Sequence, residues 1–257
     1  MLKTESLSYS IDGNILVNEV DLSFEPNRFH VIMGANGAGK TTLLRLLAGD
    51  LQPSQGEIYL QGQPVRHYLK KQLATKRAVL SQHYQVAFPI ASSDVVMMGR
   101  YPFFDSAPRK NDRDICTQAL HLMRSEEFSL REYNTLSGGE AQKIHMARVL
   151  AQIWEAQPGN EKVLFLDEPV SHLDLKYQHE LLTTAKELCK RSVTVVAILH
   201  DINLALMYAD HIVFMKGGHL IHGTMHPSGV TPEIIKSVFD VDASVLELQD
   251  GKRVVVF

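Results

Sequence analysis

The sequence predicts an α/β fold around a mostly parallel β-sheet, with an antiparallel β part and an inserted helical part. Apolar and polar residues alternate through Leu7–Ile11 and Val20–Phe24, as in an antiparallel sheet. Continuous apolar strands at Val163–Leu166 and Val193–Leu199 are interleaved with helical patterns, which is typical of a parallel sheet buried on both faces. Between about residues 87 and 134, helical patterns replace the strand signals.

The composition argues against several classes of protein function. The 257 residues are 45% hydrophobic, which is enough for one large domain. A formal charge of −3 gives no basic field of the kind that holds nucleic acid, so nucleic acid is not an expected partner. Cys116 and Cys189 show no disulfide or zinc pattern, which fits a reducing cytoplasm. No run of about 18 apolar residues occurs, so if the protein acts at a membrane, we expect it to need a membrane-spanning partner.

A glycine-rich loop, Gly34–Thr41, joins the apolar strand Phe29–Met33 to a helix that begins near Lys40. Its GxxxxGK[ST] pattern is typical of a phosphate-binding loop, because glycines let backbone N–H groups close around phosphate oxygens at a helix N-terminus. We expect Lys40 to reach the β- and γ-phosphates of ATP, and Thr41 to bind Mg²⁺. The residues predicted to contact ATP here are Gly34, Asn36, Gly37, Ala38, Gly39, Lys40, Thr41 and Thr42.

Two carboxylates, Asp167 and Glu168, follow the apolar strand Val163–Leu166. Open α/β sheets bind their ligands at the carboxyl ends of strands, and two acids at such a position need a cation. We expect Asp167 to belong to the Mg²⁺ shell. Glu168 is expected to orient or deprotonate the water that attacks the γ-phosphate.

A third motif, Leu136-Ser137-Gly138-Gly139-Glu140, opens a helix with apolar residues at helical spacing. Ser137 and the N–H groups of Gly138 and Gly139 make this a second helix start suited to phosphate. Here the chain resembles the ABC ATPase family, whose LSGGQ signature it matches except that Glu140 replaces the glutamine. Since Glu140 follows the residues expected to meet phosphate, the substitution puts little in doubt.

The resemblance covers almost the whole chain and implies a single ABC ATPase domain with a P-loop NTPase core. It implies that the core and its β subdomain occupy about 1–86 and 135–257, and a helical subdomain about 87–134. Further residues match family positions in order and spacing: Tyr9 where an aromatic ring stacks on adenine, Gln82 in the Q-loop, Ser171–Asp174 in the D-loop, and His200 at the switch histidine. The implied catalytic residues are Lys40, Gln82, Glu168 and His200, and the implied metal ligands are Thr41, Gln82 and Asp167.

Four segments narrow the resemblance to the ATPases of importers for haem, iron siderophores and cobalamin: Phe88-Pro89, Val95–Arg100, Ala147–Trp154 and His200–Ala205. Ala147–Trp154 most resembles the haemin-importer branch, so haem is the expected cargo, with siderophore or cobalamin as the alternatives. The implied partners are a second copy of the chain with ATP at the interface, integral membrane permease subunits and, indirectly, a periplasmic binding protein. The implied location is the cytoplasmic face of the bacterial inner membrane.

Other readings have less support. An ABC ATPase of DNA repair would need a long coiled-coil insertion, and no sustained heptads occur. A translation-type ABC protein would carry two copies of the motif set, and only one is present. His219, His222 and His226 have a suggestive spacing but fall on a hairpin and its following loop, so we interpret them as structural or solvated.

Overall fold

The structure, a computed structural model, describes residues 2–81, 86, 88–171, 173–249 and 251–257. In these ranges the strands are β1 Leu2–Ile11, β2 Asn14–Phe24, β3 Phe29–Met33, β4 Gln55–Leu60, β5 Gln63–Pro64, β6 Arg77–Leu80, β7 Lys162–Asp167, β8 Val193–Ile198, β9 His211–Lys216, β10 His219–Met225, β11 Ser244–Glu247 and β12 Arg253–Val256. The helices are α1 Lys40–Leu47, α2 Lys70–Lys76, α3 Ser92–Met97, α4 Lys110–Leu122, α5 Gly138–Ile153, α6 Leu175–Cys189, α7 Ile202–Tyr208 and α8 Pro232–Phe239.

The central sheet has the order β10-β9-β3-β8-β7-β6, in which β9, β3, β8, β7 and β6 run parallel and β10 is antiparallel. Every residue of β3, β7 and β8 is buried, because helices cover both faces of these strands. The predicted mostly parallel sheet is therefore confirmed. Since β3, β8 and β7 are neighbours, the segments that follow them meet at one edge of the sheet.

A second sheet, with the order β2-β1-β4-β5, is entirely antiparallel, as predicted. Its buried side chains, such as Leu7 and Val20, belong to one hydrophobic cluster with Leu44 of α1. The N–H of Asn18 in β2 donates to the carbonyl of Gly218 over 2.9 Å, which ties this sheet to the turn between β9 and β10. The start of β2 is thereby held beside the glycine-rich loop.

The predicted helical insertion contains α3 and α4, which pack against α5. Helix α3 ends at Met97, and a 3₁₀ segment follows at Met98–Phe103. Pro102 lies in this segment, and a proline cannot donate the hydrogen bond that would continue an α-helix. The subdomain boundaries near residues 87 and 134 stay a prediction.

A buried arginine connects the 3₁₀ segment to α4 and α5. Arg100 is only 1% exposed, and its guanidinium donates to Asp112 Oδ1 over 3.0 Å and to Glu155 Oε2 over 2.8 Å. A third bond, of 2.9 Å, goes to the carbonyl of Ala151. The Phe103 ring lies 3.8 Å from the guanidinium carbon. Because a buried charge is costly unless it is paired, we expect this network to fix the insertion against α5.

Asp112→Ala should lower the free energy of unfolding by about 3 kcal/mol, since it leaves the buried Arg100 with one carboxylate instead of two. Urea unfolding followed by circular dichroism measures the change. Asp105→Ala is the matched control, because Asp105 pairs with Lys71 on the exposed surface and should leave the midpoint almost unchanged. Equal midpoints for the two variants would contradict the stabilising role of the network.

Candidate active site

The glycine-rich loop is held between β2 and β9. Gly39 has φ 95°, and a Cβ atom added there would lie 2.2 Å from the carbonyl oxygen of Leu16. At Gly34 the added atom would lie 2.1 Å from the carbonyl oxygen of Met215. No real Cβ atom approaches backbone so closely, so both positions require glycine.

Lys40 lies across this loop. Its ammonium donates to the carbonyls of Gly34 over 2.8 Å and Ala35 over 2.9 Å, and only 6% of the residue is exposed. Burial lowers the pKa of Lys40, and the nearby carboxylates of Glu168 and Asp167 partly offset that effect. A lysine in this position can contact an anion that enters the loop.

Asp167 and Thr41 place two oxygen donors side by side. The Thr41 hydroxyl donates to Asp167 Oδ1 over 3.2 Å, across the boundary between α1 and β7. Asp167 is buried, and this burial raises the pKa of its carboxyl group, although the hydrogen bond from Thr41 acts in the opposite direction. A hydroxyl and a carboxylate are the hard oxygen ligands that Mg²⁺ prefers, so the donor set fits this ion.

Glu168 and His200 contact each other at the ends of β7 and β8. His200 Nε2 lies 2.7 Å from Glu168 Oε1, and the Ser171 hydroxyl donates to Glu168 Oε2 over 3.3 Å. Glu168 has φ 50°, a left-handed backbone that costs a non-glycine residue about 1–3 kcal/mol. This conformation is not predictable from the sequence motif.

A cavity of about 630 Å³ joins the loop to this pair, and its size is typical of a small-molecule site. Among the described residues it brings together most of the predicted ATP contacts with Glu168 and His200. Gly34 and Asp167 adjoin this wall through their bonds to Lys40 and Thr41. The wall residues are Leu16, Asn36, Gly37, Ala38, Gly39, Lys40, Thr41, Thr42, Glu168 and His200.

Among the described residues, the predicted adenine contact Tyr9 is not in that wall. Tyr9 is half-buried in β1 and packs against the hydrophobic cluster of the antiparallel sheet, and its stacking on adenine stays a prediction. Leu16, from the neighbouring strand, does line the cavity, although no sequence motif marks it as a site residue. In the sequence, Leu16 is marked only by its position near the start of the strand that follows the Asp12-Gly13 turn. Gln82 lies outside the described residues.

The signature residues Ser137, Gly138 and Gly139 form the start of α5, but none of them lies in the cavity wall. Gly139 lines a separate groove, together with Leu173 and Tyr177. Within one chain, therefore, the structure does not bring the two predicted phosphate-binding helix starts into one cavity.

Glu140, the departure from the family signature, caps this helix. Its carboxylate accepts a 2.7 Å hydrogen bond from the Ser137 N–H, and its own N–H donates to the Ser137 hydroxyl over 3.4 Å. These two bonds form a capping box. The bond from the Ser137 N–H is the main reason why the pKa of Glu140 is lowered. Arg131 lies 3.3 Å from the other carboxylate oxygen.

Comparison with known proteins identifies the family. The model of the ABC transporter family matches residues 17–171. The chain is 41% identical to the hemin import ATP-binding protein HmuV of Rhodopseudomonas palustris over 248 residues, which is 95% of this chain and 90% of that protein. It is 38% identical to the HmuV of Gloeobacter violaceus over 246 residues, covering 96% and 90% of the two chains.

A solved structure shares the fold. The ATP-binding cassette MJ0796, in a dimeric post-hydrolysis state bound to ADP and Pi, superposes with a TM-score of 0.77 at 23% identity, over 90% of this chain and 100% of that one. The chain thus belongs to the ABC transporter family, as the resemblance implied, and is its nucleotide-binding ATPase component. In the part of the chain that the structure describes, no helix is long and apolar enough to cross a membrane.

Glu140→Gln should keep the ATPase rate within about two-fold of the original, because an amide oxygen can accept the Ser137 N–H as the carboxylate does. Glu140→Ala removes that acceptor and frees the helix start, so it should lower the rate severalfold. Steady-state phosphate release measures both. A glutamine variant as slow as the alanine variant would show that the charge of Glu140, rather than the cap, is required.

Proposed function

We propose that this cavity binds MgATP and that two copies of the chain hydrolyse it to drive haem import through a membrane permease. The observation that carries the proposal is the 2.7 Å contact between Glu168 and His200 at the cavity, opposite Lys40 and the glycine-rich loop. A paired carboxylate and imidazole beside a phosphate-binding loop suit phosphoryl transfer to water.

Four residues, together with the N–H groups of the loop, would hold the triphosphate and its metal. Lys40 would exchange its two carbonyl contacts for oxygens of the β- and γ-phosphates, while the loop N–H groups surround them. Thr41 and Asp167 would hold Mg²⁺, with Gln82 as a further ligand implied by the family resemblance. When bound, Mg²⁺ neutralises charge on the β- and γ-phosphates.

Glu168 would orient the attacking water and accept its proton. The contacts with His200 and Ser171 engage both carboxylate oxygens, so the side chain is already fixed before substrate arrives. A positioned general base contributes about 10²–10⁴ in rate. His200 would hold Glu168 in place and contact the γ-phosphate.

The separation of the signature from the cavity supports a composite site. Both helix starts are suited to phosphate, yet one chain does not place them together. Two copies arranged head to tail would bring the Ser137-Gly138-Gly139 start of one copy over the cavity of the other. Each γ-phosphate would then be held from both sides.

Mixing two inactive variants tests this arrangement. Lys40→Ala should disable the loop of its own chain, and Ser137→Arg should block its signature with a bulky side chain, so neither homodimer should occlude ATP. A heterodimer would contain one site built from the intact loop of the Ser137→Arg chain and the intact signature of the Lys40→Ala chain. That site should retain ATP through rapid gel filtration. If heterodimers form but trap no more ATP than the separate variants, the signature acts within its own chain.

The proposal that haem is the cargo rests on sequence similarity to named relatives. The relatives that carry the name hemin import ATP-binding protein cover almost the whole chain at about 40% identity. An importer of this kind would need permease subunits and a periplasmic binding protein. The chain would then act at the cytoplasmic face of the bacterial inner membrane.

Reconstitution with the cognate permease tests the cargo. Hydrolysis should rise more with a haem-loaded binding protein than with one loaded with cobalamin or a siderophore. The Glu168→Gln complex is the control: it should bind ATP with nearly unchanged affinity and hydrolyse it about 10²-fold more slowly, whatever the cargo. Stimulation by cobalamin alone would overturn the haem assignment but leave the ATPase mechanism intact.

A further inference from the structure

The side chain of Asn203 in α7 forms hydrogen bonds with the β11–β12 hairpin. The Asn203 amide donates to the carbonyl of Val255 over 3.1 Å, and the Val255 N–H donates back to Asn203 Oδ1 over 2.8 Å. The two residues are 52 positions apart in the sequence. Val255 is 3% exposed and belongs to the main hydrophobic cluster, so this contact is anchored in the core.

The register of the hairpin explains why an asparagine fits here. Val255 is paired with Val245 in β11, yet both backbone groups of Val255 point outward to Asn203. This is the pattern of a non-hydrogen-bonded antiparallel pair, whose N–H and C=O groups face the open edge. The amide of Asn203 supplies one donor and one acceptor, and so takes the place of a third strand at that edge.

Helix α7 depends on such contacts for its position. It has seven residues, which is too short for a helix to be stable by itself. The Asp201 side chain caps its start, accepting from the N–H groups of Asn203 over 2.7 Å and Leu204 over 3.3 Å. Asn203 therefore joins the first turn of α7 to the hairpin.

His200 immediately precedes this capped turn. On one side it follows Leu199, which is buried at the end of β8, and on the other it is bonded to Asp201. Its own side chain is 43% exposed. On the α7 side, the Asp201 cap therefore fixes the first turn of the helix, and the bonds between Asn203 and Val255 fix that turn to β12. A displacement of the first turn by about 1 Å would lengthen the 2.7 Å contact with Glu168 beyond hydrogen-bond range.

We propose that Asn203 is a positioning residue for hydrolysis, which holds His200 against Glu168 by fixing the start of α7 to β12. The inference rests on the proposed roles of His200 and Glu168. It adds to them a residue that lies outside the wall of the ATP cavity and acts through His200.

A second contact of the same strand provides a matched control. Arg253 in β12 donates to the carbonyls of Ser228 and Pro227. This contact holds the hairpin to the 3₁₀ turn Pro227–Gly229 and makes no bond to α7. Losing it should leave both Asn203–Val255 hydrogen bonds in place, and with them the position of the first turn of α7.

The test compares Asn203→Leu, Arg253→Met and His200→Ala in the full chain reconstituted with its permease. Asn203→Leu keeps the size of the side chain but removes both bonds, so kcat should fall by about 10-fold or more while KM for ATP stays within about two-fold. Arg253→Met should leave kcat unchanged. In the His200→Ala background, Asn203→Leu should cause no further loss, because the residue acts through His200.

The outcomes separate the inference from the proposed function. If His200→Ala hydrolyses ATP normally, the role proposed for His200 is wrong. If His200→Ala is slow but Asn203→Leu keeps its kcat, or if Arg253→Met loses as much as Asn203→Leu, the positioning role is wrong and the ATPase mechanism stands. Should Asn203→Leu fail to fold, Asn203→Asp keeps the acceptor for the Val255 N–H and should show a smaller loss of kcat in the same direction; an unchanged kcat in that variant overturns the inference.

Discussion

The site depends on the adjacency of three buried parallel strands, β3, β8 and β7. Neighbouring strands lie about 4.8 Å apart, so the segments that follow these three fall within about 10 Å of one another. The glycine-rich loop, His200 and the Asp167-Glu168 pair therefore meet, although Thr41 and Asp167 are 126 positions apart in the sequence. The antiparallel sheet adds Leu16 to the cavity wall because β2 is hydrogen-bonded to the β9–β10 turn.

Ionisable side chains are concentrated at this edge of the central sheet. Burial lowers the pKa of Lys40 and raises that of Asp167, so the environment disfavours the charged form of each group. A phosphate beside Lys40 and a divalent cation beside Asp167 would each add opposite charge that favours the charged form of that group. In the proposed mechanism, the bound metal and nucleotide would therefore stabilise both charged groups.

Features that depend on local spacing could be predicted from the sequence, and features that depend on distant contacts could not. The loop, the Asp-Glu pair and the signature each lie within a few residues, and the alternation of strands and helices predicted the sheet that gathers them. The left-handed backbone of Glu168, the burial of Arg100 and the contact between Asn203 and Val255 arise only when separate elements pack together. Leu16 shows the same limit, because it reaches the cavity wall only through the packing of β2 beside the β9–β10 turn.

Part of the proposed site is assembled within one chain, whereas the signature lies apart from the cavity, and this separation has a functional consequence. Within one chain, Glu168 and His200 are already in contact, and Lys40 already lies over the loop. The signature is ordered by its own capping box but faces a different groove. In the proposed mechanism the groups that act on water are thus preorganised in each copy, whereas the second clamp on the γ-phosphate comes only from the partner. Hydrolysis then depends on the approach of two chains, and a permease that controls this approach controls when ATP is consumed.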